Sequence, residues 1–178
     1  MSPPNQTGSK KHSVGLVVLT FFQGQKVAVL QKRGLVDFEK MKMQSWSGAC
    51  QITVHGQVEP TDQTPFDTLL REAKEEIGLP ARTYFFFERP NPFVLLHEAE
   101  TDREHVSTYA IQVEDQNFLR HVRLESSTGG IRLVTSPEVQ YIEDLAKNYT
   151  KEKGVDKNVI AMFLDEKLAV EKAFEVFP

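Results

Sequence analysis

Three glutamates on one face of a predicted helix have the type and spacing of a site for a hard metal ion. Glu72, Glu75 and Glu76 are related by i+3 and i+4 in the segment PFDTLLREAKEEIGL. Like charges at this spacing repel, and acidic groups near a helix C-terminus are unfavourable. Mg²⁺ or Mn²⁺ takes oxygen ligands, so these carboxylates and substrate phosphates would suit it. A solvated acidic face screened by Arg71 and Lys74 is the alternative that the helix pattern leaves open.

The helix that carries these glutamates is predicted from about Pro65 to Ile77. Thr64 is a suitable N-cap, Pro65 suits the first turn, and Gly78 suits the C-terminal end. The apolar residues of the segment recur at helical spacing and form one stripe for burial: Phe66, Leu69, Leu70, Ala73 and Ile77. The sequence therefore predicts a helix that packs on one side and presents carboxylates on the other.

The end of this segment resembles a known motif. Arg71–Leu79 reads REAKEEIGL and looks like the core of the Nudix box, Gly-x5-Glu-x7-Arg-Glu-U-x-Glu-Glu-x-Gly-U, where U is aliphatic. It matches at every defined position when Ala73 is counted as the aliphatic residue. The strand sequence Val29–Arg33 and the Trp46 segment resemble the stretches that precede the box in that family. The resemblance covers about Ser13 to Val134.

The upstream half of the box is degenerate. Counting back from Arg71, the box glycine and first glutamate are expected where the chain has Gln57 and Gln63. A one-residue insertion within 57–62 makes Gly56 the box glycine but leaves Gln63 where a carboxylate is expected. The sequence leaves open whether another acid substitutes, the candidates being Glu59 and Asp62.

The resemblance implies an α/β (α+β) fold, a Nudix-type α/β/α sandwich with a mixed β-sheet and a loop-helix-loop catalytic motif. It also implies a metal-dependent hydrolase that cleaves a diphosphate linkage in a nucleoside diphosphate linked to another group, using Mg²⁺ or Mn²⁺. Carried over by position, Glu75 and Glu76 are expected to be metal ligands. Glu72 is a further ligand or the base for the attacking water, the carbonyl of Gly56 is an additional ligand, and Arg71 orients a carboxylate.

Further site residues are expected outside the box. The family often uses an additional acid, for which the candidates are Glu98, Glu100, Asp102 and Glu104. Glu104 is preferred because it directly precedes the predicted strand Val106–Val113. Three arginines are predicted to contact substrate phosphates: Arg33, Arg120 and Arg123.

The remaining pattern predicts one mixed α/β domain over residues 13–178 after a disordered tail over 1–12. Val14–Phe22 and Lys26–Lys32 should form a hairpin. Further strands are predicted within Ala49–His55 and at Thr83–Glu88, Phe93–Glu98, Val106–Val113 and Ile131–Val134. Loops are predicted at Gly34–Gln44 and Asp115–Gly130, and further helices from Ser136 to about Tyr149 and from about Asp156 to Phe174.

Composition limits the classes of partner. The 178 residues carry 21 Lys+Arg and 25 Asp+Glu, a net charge of −4. This balance gives no electrostatic reason to expect duplex nucleic acid or an anionic membrane as partner. Cys50 is the only cysteine, which excludes an intrachain disulfide and a cysteine-based zinc site. We expect a cytoplasmic protein with a small-molecule partner, a nucleoside diphosphate derivative, and a homodimer is compatible with the sequence.

Two other functions are weighed against the hydrolase. The degenerate upstream half suggests a non-catalytic Nudix module that binds a nucleotide or a protein. The second alternative is an enzyme like isopentenyl-diphosphate isomerase, whose metal set is partly resembled by four residues here: His12, His55, Asp102 and Glu104. Against the isomerase, Thr53 stands where its catalytic cysteine is expected, and Cys50 is not at the required place.

Overall fold

The computed structural model describes residues 10–38, 41–87, 93–100, 104–124 and 128–178. Within these ranges seven strands form one mixed sheet, in the order β3-β2-β1-β6-β5, with β4 beside β1 and β7 beside β2. Their bounds are β1 Lys11–Phe22, β2 Gln25–Arg33, β3 Cys50–Gln51, β4 Val54–Gln57, β5 Val94–Glu100, β6 Glu104–Gln112 and β7 Thr128–Thr135. β1 and β6 are parallel, and the other pairings are antiparallel.

Helices cover both faces of this sheet. Their bounds are α1 Pro65–Glu76, α2 Leu79–Phe87, α3 Phe118–His121, α4 Leu145–Asn148 and α5 Leu164–Val176. Alternate residues of β1 point to opposite faces, so Leu16 packs in the cluster with α1 while Val17 packs in the cluster with α5. This confirms the predicted mixed α/β sandwich. Among the described residues, no helix has the length and apolar character needed to cross a bilayer.

The long strand β1 changes partner along its length. Its first half pairs with β4 and its second half pairs with β2, so the sheet forks between these two strands. Thr53 joins the two branches, because its buried hydroxyl accepts from the Val18 N–H at 2.8 Å and donates to the Val29 carbonyl at 2.5 Å. The Gln31 side chain also donates to the Thr53 carbonyl at 2.7 Å. The fork opens on the face where the acidic helix α1 ends.

Helix α1 has the predicted ends. The Thr64 hydroxyl accepts from the Asp67 N–H, the Asp67 carboxylate accepts from the Thr64 N–H, and Pro65 occupies the first turn. Ile77 is the C-cap, and Gly78 follows at a φ of +88°. A Cβ added to Gly78 would also lie 2.7 Å from Arg123 Cβ. The positive φ and this close approach both favour glycine where the chain leaves α1.

Four predicted elements differ from the structure. The strand predicted at Thr83–Glu88 is wrong over its described residues, since 79–87 form α2, in which Ala81 and Phe85 are buried one turn apart; Glu88 lies outside the described residues. The predicted helix from Ser136 is a 3₁₀ helix, Ser136–Tyr141, followed by a short strand and α4. Val139, Ile142 and Leu145 are buried, and their spacing of three fits a 3₁₀ turn as well as an α-helix.

The last helix begins at Leu164 rather than near Asp156, because the preceding residues form short strand pairs. Tyr149–Thr150 pairs with Gly154–Val155, and Glu143–Asp144 pairs with Ala161–Met162. The strand expected within 49–55 is two strands, β3 and β4, interrupted at the fork.

The remaining differences are at loops and at the N-terminus. The loop predicted over 34–44 contains a two-residue strand pair, Val36–Asp37 with Lys42–Met43. The loop predicted over 115–130 contains α3 and the start of β7. The tail predicted over 1–12 is too long by two residues, since β1 begins at Lys11 and pairs with β6; residues 1–9 lie outside the described residues.

Candidate active site

Arg71 ties the loop before α1 to the helix itself. Its Nη2 donates to Asp62 Oδ2 at 2.9 Å and to the Gln57 carbonyl at 2.8 Å, and its Nη1 donates to Glu72 Oε1 at 2.7 Å. The Asp62 side chain is only 6% exposed. The hydrogen bond from Arg71, with a further one from the Glu59 N–H, lowers the pKa of Asp62 to about 2. The loop and helix are therefore held by one partly buried, charge-assisted network.

Asp62, rather than Glu59, is the acid that pairs closely with Arg71. Glu59 is the weaker partner, at 3.8 Å from Arg71 Nη1 with its side chain 56% exposed. Gln63 is exposed. Asp62 also accepts from the Thr68 hydroxyl at 3.0 Å, which fixes its orientation against the first turns of α1.

Glu72 lies directly over Gly56 in β4. A Cβ added to Gly56 would come within 1.9 Å of the Glu72 Cδ atom, so a larger residue here would displace this carboxylate. Burial raises the pKa of Glu72, and the hydrogen bond from Arg71 acts in the opposite direction. The structure thus brings together three residues that the resemblance assigned to the site: Gly56, Arg71 and Glu72.

Glu76 points into the fork of the sheet. Its Oε2 accepts from the His55 N–H at 3.0 Å, and its Oε1 accepts from Gln51 Nε2 at 3.4 Å. Burial raises the pKa of Glu76 to about 8. The carboxylate lines a cavity of about 140 Å³ whose other lining residues are polar: Gln31, Arg33, Gln44, Gln51, His55 and Thr128.

Glu75 differs from its two neighbours on the helix. Its side chain is 57% exposed and reaches Arg71 Nη1 only at 3.8 Å. Within the described residues, no group of three or more His, Cys, Asp or Glu side chains is gathered closely enough to hold a metal ion. The three glutamates share a helix face, as predicted, but each has its own surroundings.

A larger cavity of about 190 Å³ adjoins the first one, and the two share Arg33, Gln51 and His55 as lining residues. Glu104 lines this larger cavity and accepts from the Ser13 hydroxyl at 2.5 Å. Arg33 therefore lies at the junction between the Glu76 end and the Glu104 wall.

The other predicted acids have different surroundings. Glu98 lies 3.6 Å from His105 Nε2 and accepts weakly from Ser107, while Glu100 is paired with Lys10. Neither lines the larger cavity. Asp102 falls outside the described residues.

The structure does not bring Arg120 and Arg123 to either cavity. Arg123 Nη1 donates to the carbonyls of Arg120 and Val122, at 2.8 and 2.9 Å, so it caps the end of α3. The Arg123 N–H donates to the Ile77 carbonyl at 2.8 Å, which joins α3 to the end of α1. These contacts give Arg123 a role in local structure.

The start of α5 forms one wall of the larger cavity, which the sequence pattern does not predict. Phe163, Asp165 and Glu166 all line it. A helix predicted from Asp156 places these residues in its middle, so their position at a helix start was hidden. Two adjacent acids in a first turn are a usual sign of a helix N-terminus and could have marked it.

Cys50 and Thr53 have the surroundings of structural residues. Cys50 is buried, and its pKa is raised to about 11, mainly by burial. Thr53 is fully buried and uses its hydroxyl to join β1 and β2 at the fork. The Cys50 thiol is therefore protonated and unreactive at neutral pH.

Comparison with known proteins agrees with this geometry. A model of the NUDIX domain matches residues 10–157. The chain belongs to the Nudix family. The match supports the predicted Nudix domain. No curated protein sequence matches the chain.

Solved structures show the same Nudix fold. The NUDIX domain of Shewanella oneidensis NrtR, complexed with ADP ribose, is 13% identical with a TM-score of 0.62, over 99% of this chain and 94% of that chain. A Caenorhabditis elegans (C. elegans) Ap4A hydrolase in a binary complex is 12% identical with a TM-score of 0.54, over 94% and 96%. NrtR complexed with a 27mer DNA is 13% identical with a TM-score of 0.54, over 93% of this chain and 61% of that chain.

Proposed function

We propose that this Nudix protein is a metal-dependent hydrolase that cleaves a diphosphate linkage in a nucleoside diphosphate linked to another group. The observation that carries the proposal is the arrangement around Arg71, which fixes Glu72 over Gly56 while Glu76 and Arg33 line one adjoining cavity. ADP ribose and Ap4A, named with two proteins of the same fold, are both nucleoside diphosphates extended by a second group.

We assign Asp62 to the position of the first box glutamate. Gly56 and Asp62 are separated by five residues, as in Gly-x5-Glu, and Asp62 makes the ion pair with Arg71. The extra residue of the box then lies between Asp62 and Arg71 rather than within 57–62. Because a carboxylate is present after all, the degenerate upstream half no longer favours a non-catalytic binding module.

The donor set fits a hard divalent cation. The carboxylates of Glu72, Glu75 and Glu76 and the carbonyl of Gly56 are all oxygen donors, which Mg²⁺ and Mn²⁺ prefer. Burial raises the pKa of Glu76, and a cation bound beside it would favour the ionised form of its carboxyl group. When bound, such a cation lowers the pKa of coordinated water and offsets charge on phosphate oxygens.

The residues of the chain have separate tasks in this proposal. Glu72 is a metal ligand or the base that accepts the proton of the attacking water, and Arg71 holds its carboxylate in place. Arg33, between the two cavities, binds the phosphates. Glu104 is the candidate for a further acid because it lines the same cavity as Arg33. Arg120 and Arg123 have no part in it.

An isomerase-like activity is not supported by the structure. That chemistry would need a reactive cysteine near His55, and Thr53 at the expected place is a buried structural residue. The nearby Cys50 is buried with a raised pKa, so it is protonated at neutral pH. The expected cytoplasmic location, the homodimer and the absence of a duplex nucleic acid partner stay predictions.

A substrate panel tests the proposed function. Purified protein is incubated with Mg²⁺ and ADP-ribose, dinucleoside polyphosphates, nucleotide sugars or (d)NTPs, and phosphate release is measured after coupling to phosphatase. We expect turnover of at least one compound, and its loss on addition of EDTA. Tight binding of one compound without turnover of any would instead establish the non-catalytic module. Conversion of isopentenyl to dimethylallyl diphosphate would establish the isomerase.

A further inference from the structure

Glu76 is held by side chains of the sheet as well as by the backbone. The Gln51 Nε2 atom donates to its Oε1 at 3.4 Å, while the His55 N–H donates to its Oε2 at 3.0 Å. The Gln31 side chain hydrogen-bonds to the same carboxyl group. Both oxygens of Glu76 therefore have a donor, and two of the groups that hold the carboxyl group are side-chain amides.

The amide of Gln31 is fixed at the fork of the sheet. Gln31 is 3% exposed, and its Nε2 donates to the Thr53 carbonyl at 2.7 Å. Its Oε1 accepts from the Thr128 hydroxyl at 3.3 Å and from Gln51 Nε2 at 3.5 Å. Gln31 and Gln51 face each other in the register of β2 and β3. The strands thus fix the direction from which these amides meet the carboxyl group.

The partners of Glu76 are neutral, whereas Glu72 on the same helix has a cationic partner. Arg71 Nη1 lies 2.7 Å from Glu72 Oε1 and pairs with its charge. An amide N–H directs a carboxylate oxygen through a hydrogen bond but brings no net charge. Arg33 lines the same cavity as Glu76, and its Nη1 donates to the Ser45 carbonyl at 3.4 Å. Ionised Glu76 therefore has a fixed direction, while its amide partners leave its charge for a bound cation.

We propose that Gln31 and Gln51 are positioning residues, which hold the Glu76 carboxylate in the direction in which it binds a divalent cation. The inference rests on the proposed function only in assigning Glu76 as a metal ligand. Loss of an amide donor leaves the carboxylate free to turn, so the affinity for the cation falls although every proposed ligand is still present. A cationic side chain in place of an amide pairs with Glu76 and competes with the metal ion.

Manganese binding without substrate tests this inference. The concentration of free Mn²⁺ is measured by electron paramagnetic resonance during titration of the unmodified protein, Gln51→Met and Gln51→Lys. Gln51→Met keeps the side-chain length and removes the donor, so the dissociation constant should rise by about tenfold. Gln51→Lys should raise it by about 100-fold. An unchanged dissociation constant in either variant, or no Mn²⁺ binding by the unmodified protein, would overturn the inference.

A double-mutant cycle separates positioning from a general effect on structure. In Glu76→Gln the carboxylate is absent, so adding Gln51→Met should change the Mn²⁺ dissociation constant by less than about twofold. Gln31→Met should weaken binding in the same way as Gln51→Met. Gln25→Met is the matched control and should bind Mn²⁺ like the unmodified protein, since Gln25 is exposed on the same strand, β2. A loss that persists in the Glu76→Gln background, with folding confirmed by circular dichroism, would assign the effect to residues other than Glu76.

The inference and the proposed function fail in distinguishable ways. With a substrate from the panel and subsaturating Mg²⁺, Gln51→Met should lower kcat by about tenfold and change KM by less than about threefold, and a higher Mg²⁺ concentration should restore most of kcat. Weaker Mn²⁺ binding by Gln51→Met, together with no turnover by the unmodified protein, would remove the hydrolase and leave the positioning of Glu76. Turnover that depends on Glu76, with Mn²⁺ affinity and kcat unchanged in Gln51→Met, would do the reverse.

Discussion

Two glutamates at opposite ends of the cavities have similar acidity but different surroundings. Glu76 on α1 and Glu166 on α5 both have a pKa raised to about 8 by burial. Glu76 has both oxygens within hydrogen-bond reach of partners, from the His55 N–H and the Gln51 amide. Glu166 has one buried oxygen without a partner among the described residues. One acid belongs to a sequence motif, and the other belongs to none.

The two ends of the cavities are also built differently. The α1 end is built from a contiguous motif whose parts hold one another through Arg71, as required for chemistry shared by a family. The α5 end is built from residues that follow a short strand and contact the site only through tertiary packing. The two ends are therefore expected to respond separately to mutation.

The largest expected effect is at the α1 end. Glu72→Gln removes the carboxylate that is a metal ligand or the base, and we expect the turnover of a panel substrate to fall by about 10³-fold. Glu175→Gln is the matched control, since it removes the same charge from an exposed position of α5. Steady-state kinetics of both variants measures the effect, and equal rates for the two would remove Glu72 from the mechanism.

A smaller effect is expected from the glycine beneath Glu72. In Gly56→Ala the added methyl group displaces the carboxylate, so turnover should fall by about 10²-fold, with about 2 kcal/mol less free energy of unfolding. Gly24→Ala is the control, because Gly24 has a φ of +77° but no atom within 4 Å of an added Cβ. It should lose stability through backbone strain and keep its activity. Full activity of Gly56→Ala would show that turnover does not depend on the position of Glu72 over Gly56.

The Arg71 network predicts a pH-dependent change in stability. Asp62→Asn should lower the free energy of unfolding by about 1–2 kcal/mol at pH 7, whereas Glu59→Gln should change it by less than about 0.5 kcal/mol. The pKa of Asp62 is lowered to about 2 in the folded protein, against an ordinary value of 3.8. Its stabilisation is thus present above pH 4 and lost as the pH falls toward 2.

Urea unfolding at pH 7 and at low pH measures this difference. The gap between the unmodified protein and Asp62→Asn should shrink as the pH falls. A gap that stays constant with pH would mean that Asp62 does not act through its charge.

The smallest effect is expected at the α5 end. The folded pKa of Glu166 is about 8 and its ordinary value is 4.5, so the unfolded chain loses this proton first. The stability of the protein should therefore fall as the pH rises from about 4.5 to 8. Glu166→Gln removes the contribution of this residue and leaves that of Glu76, and it should be more stable than the unmodified protein by about 1 kcal/mol at pH 8. Thermal unfolding from pH 5 to pH 8 measures it, and a variant less stable at every pH would show that Glu166 supports the fold.

The sequence predicted the parts of the site that lie close together in the chain. Helix α1 with its caps follows from local spacing, and the hairpin of β1 and β2 follows from two neighbouring apolar runs. Gly56, Arg71 and Glu72 were assigned by motif, and the structure brings them into contact. Asp62 could not be chosen over Glu59, because the choice depends on the path of the loop rather than on residue type.

The errors have a common physical cause. Residues 79–87 have high β propensity, but burial of Ala81 and Phe85 one turn apart favours a helix there. The start of α5 was misplaced because short strand pairing over 143–162 depends on distant partners. The wall that contains Glu166 was missed for the same reason, since only the tertiary fold brings it to the cavity.

The central claim, hydrolysis at the α1 end, is tested most directly by one comparison of rates. Mg²⁺-dependent phosphate release from the best panel substrate is measured for the unmodified protein, Glu76→Gln and Glu175→Gln, each shown by circular dichroism to be folded. The account predicts that Glu76→Gln loses turnover by at least about 10²-fold while Glu175→Gln retains it. Turnover by Glu76→Gln at the rate of the unmodified protein would contradict it.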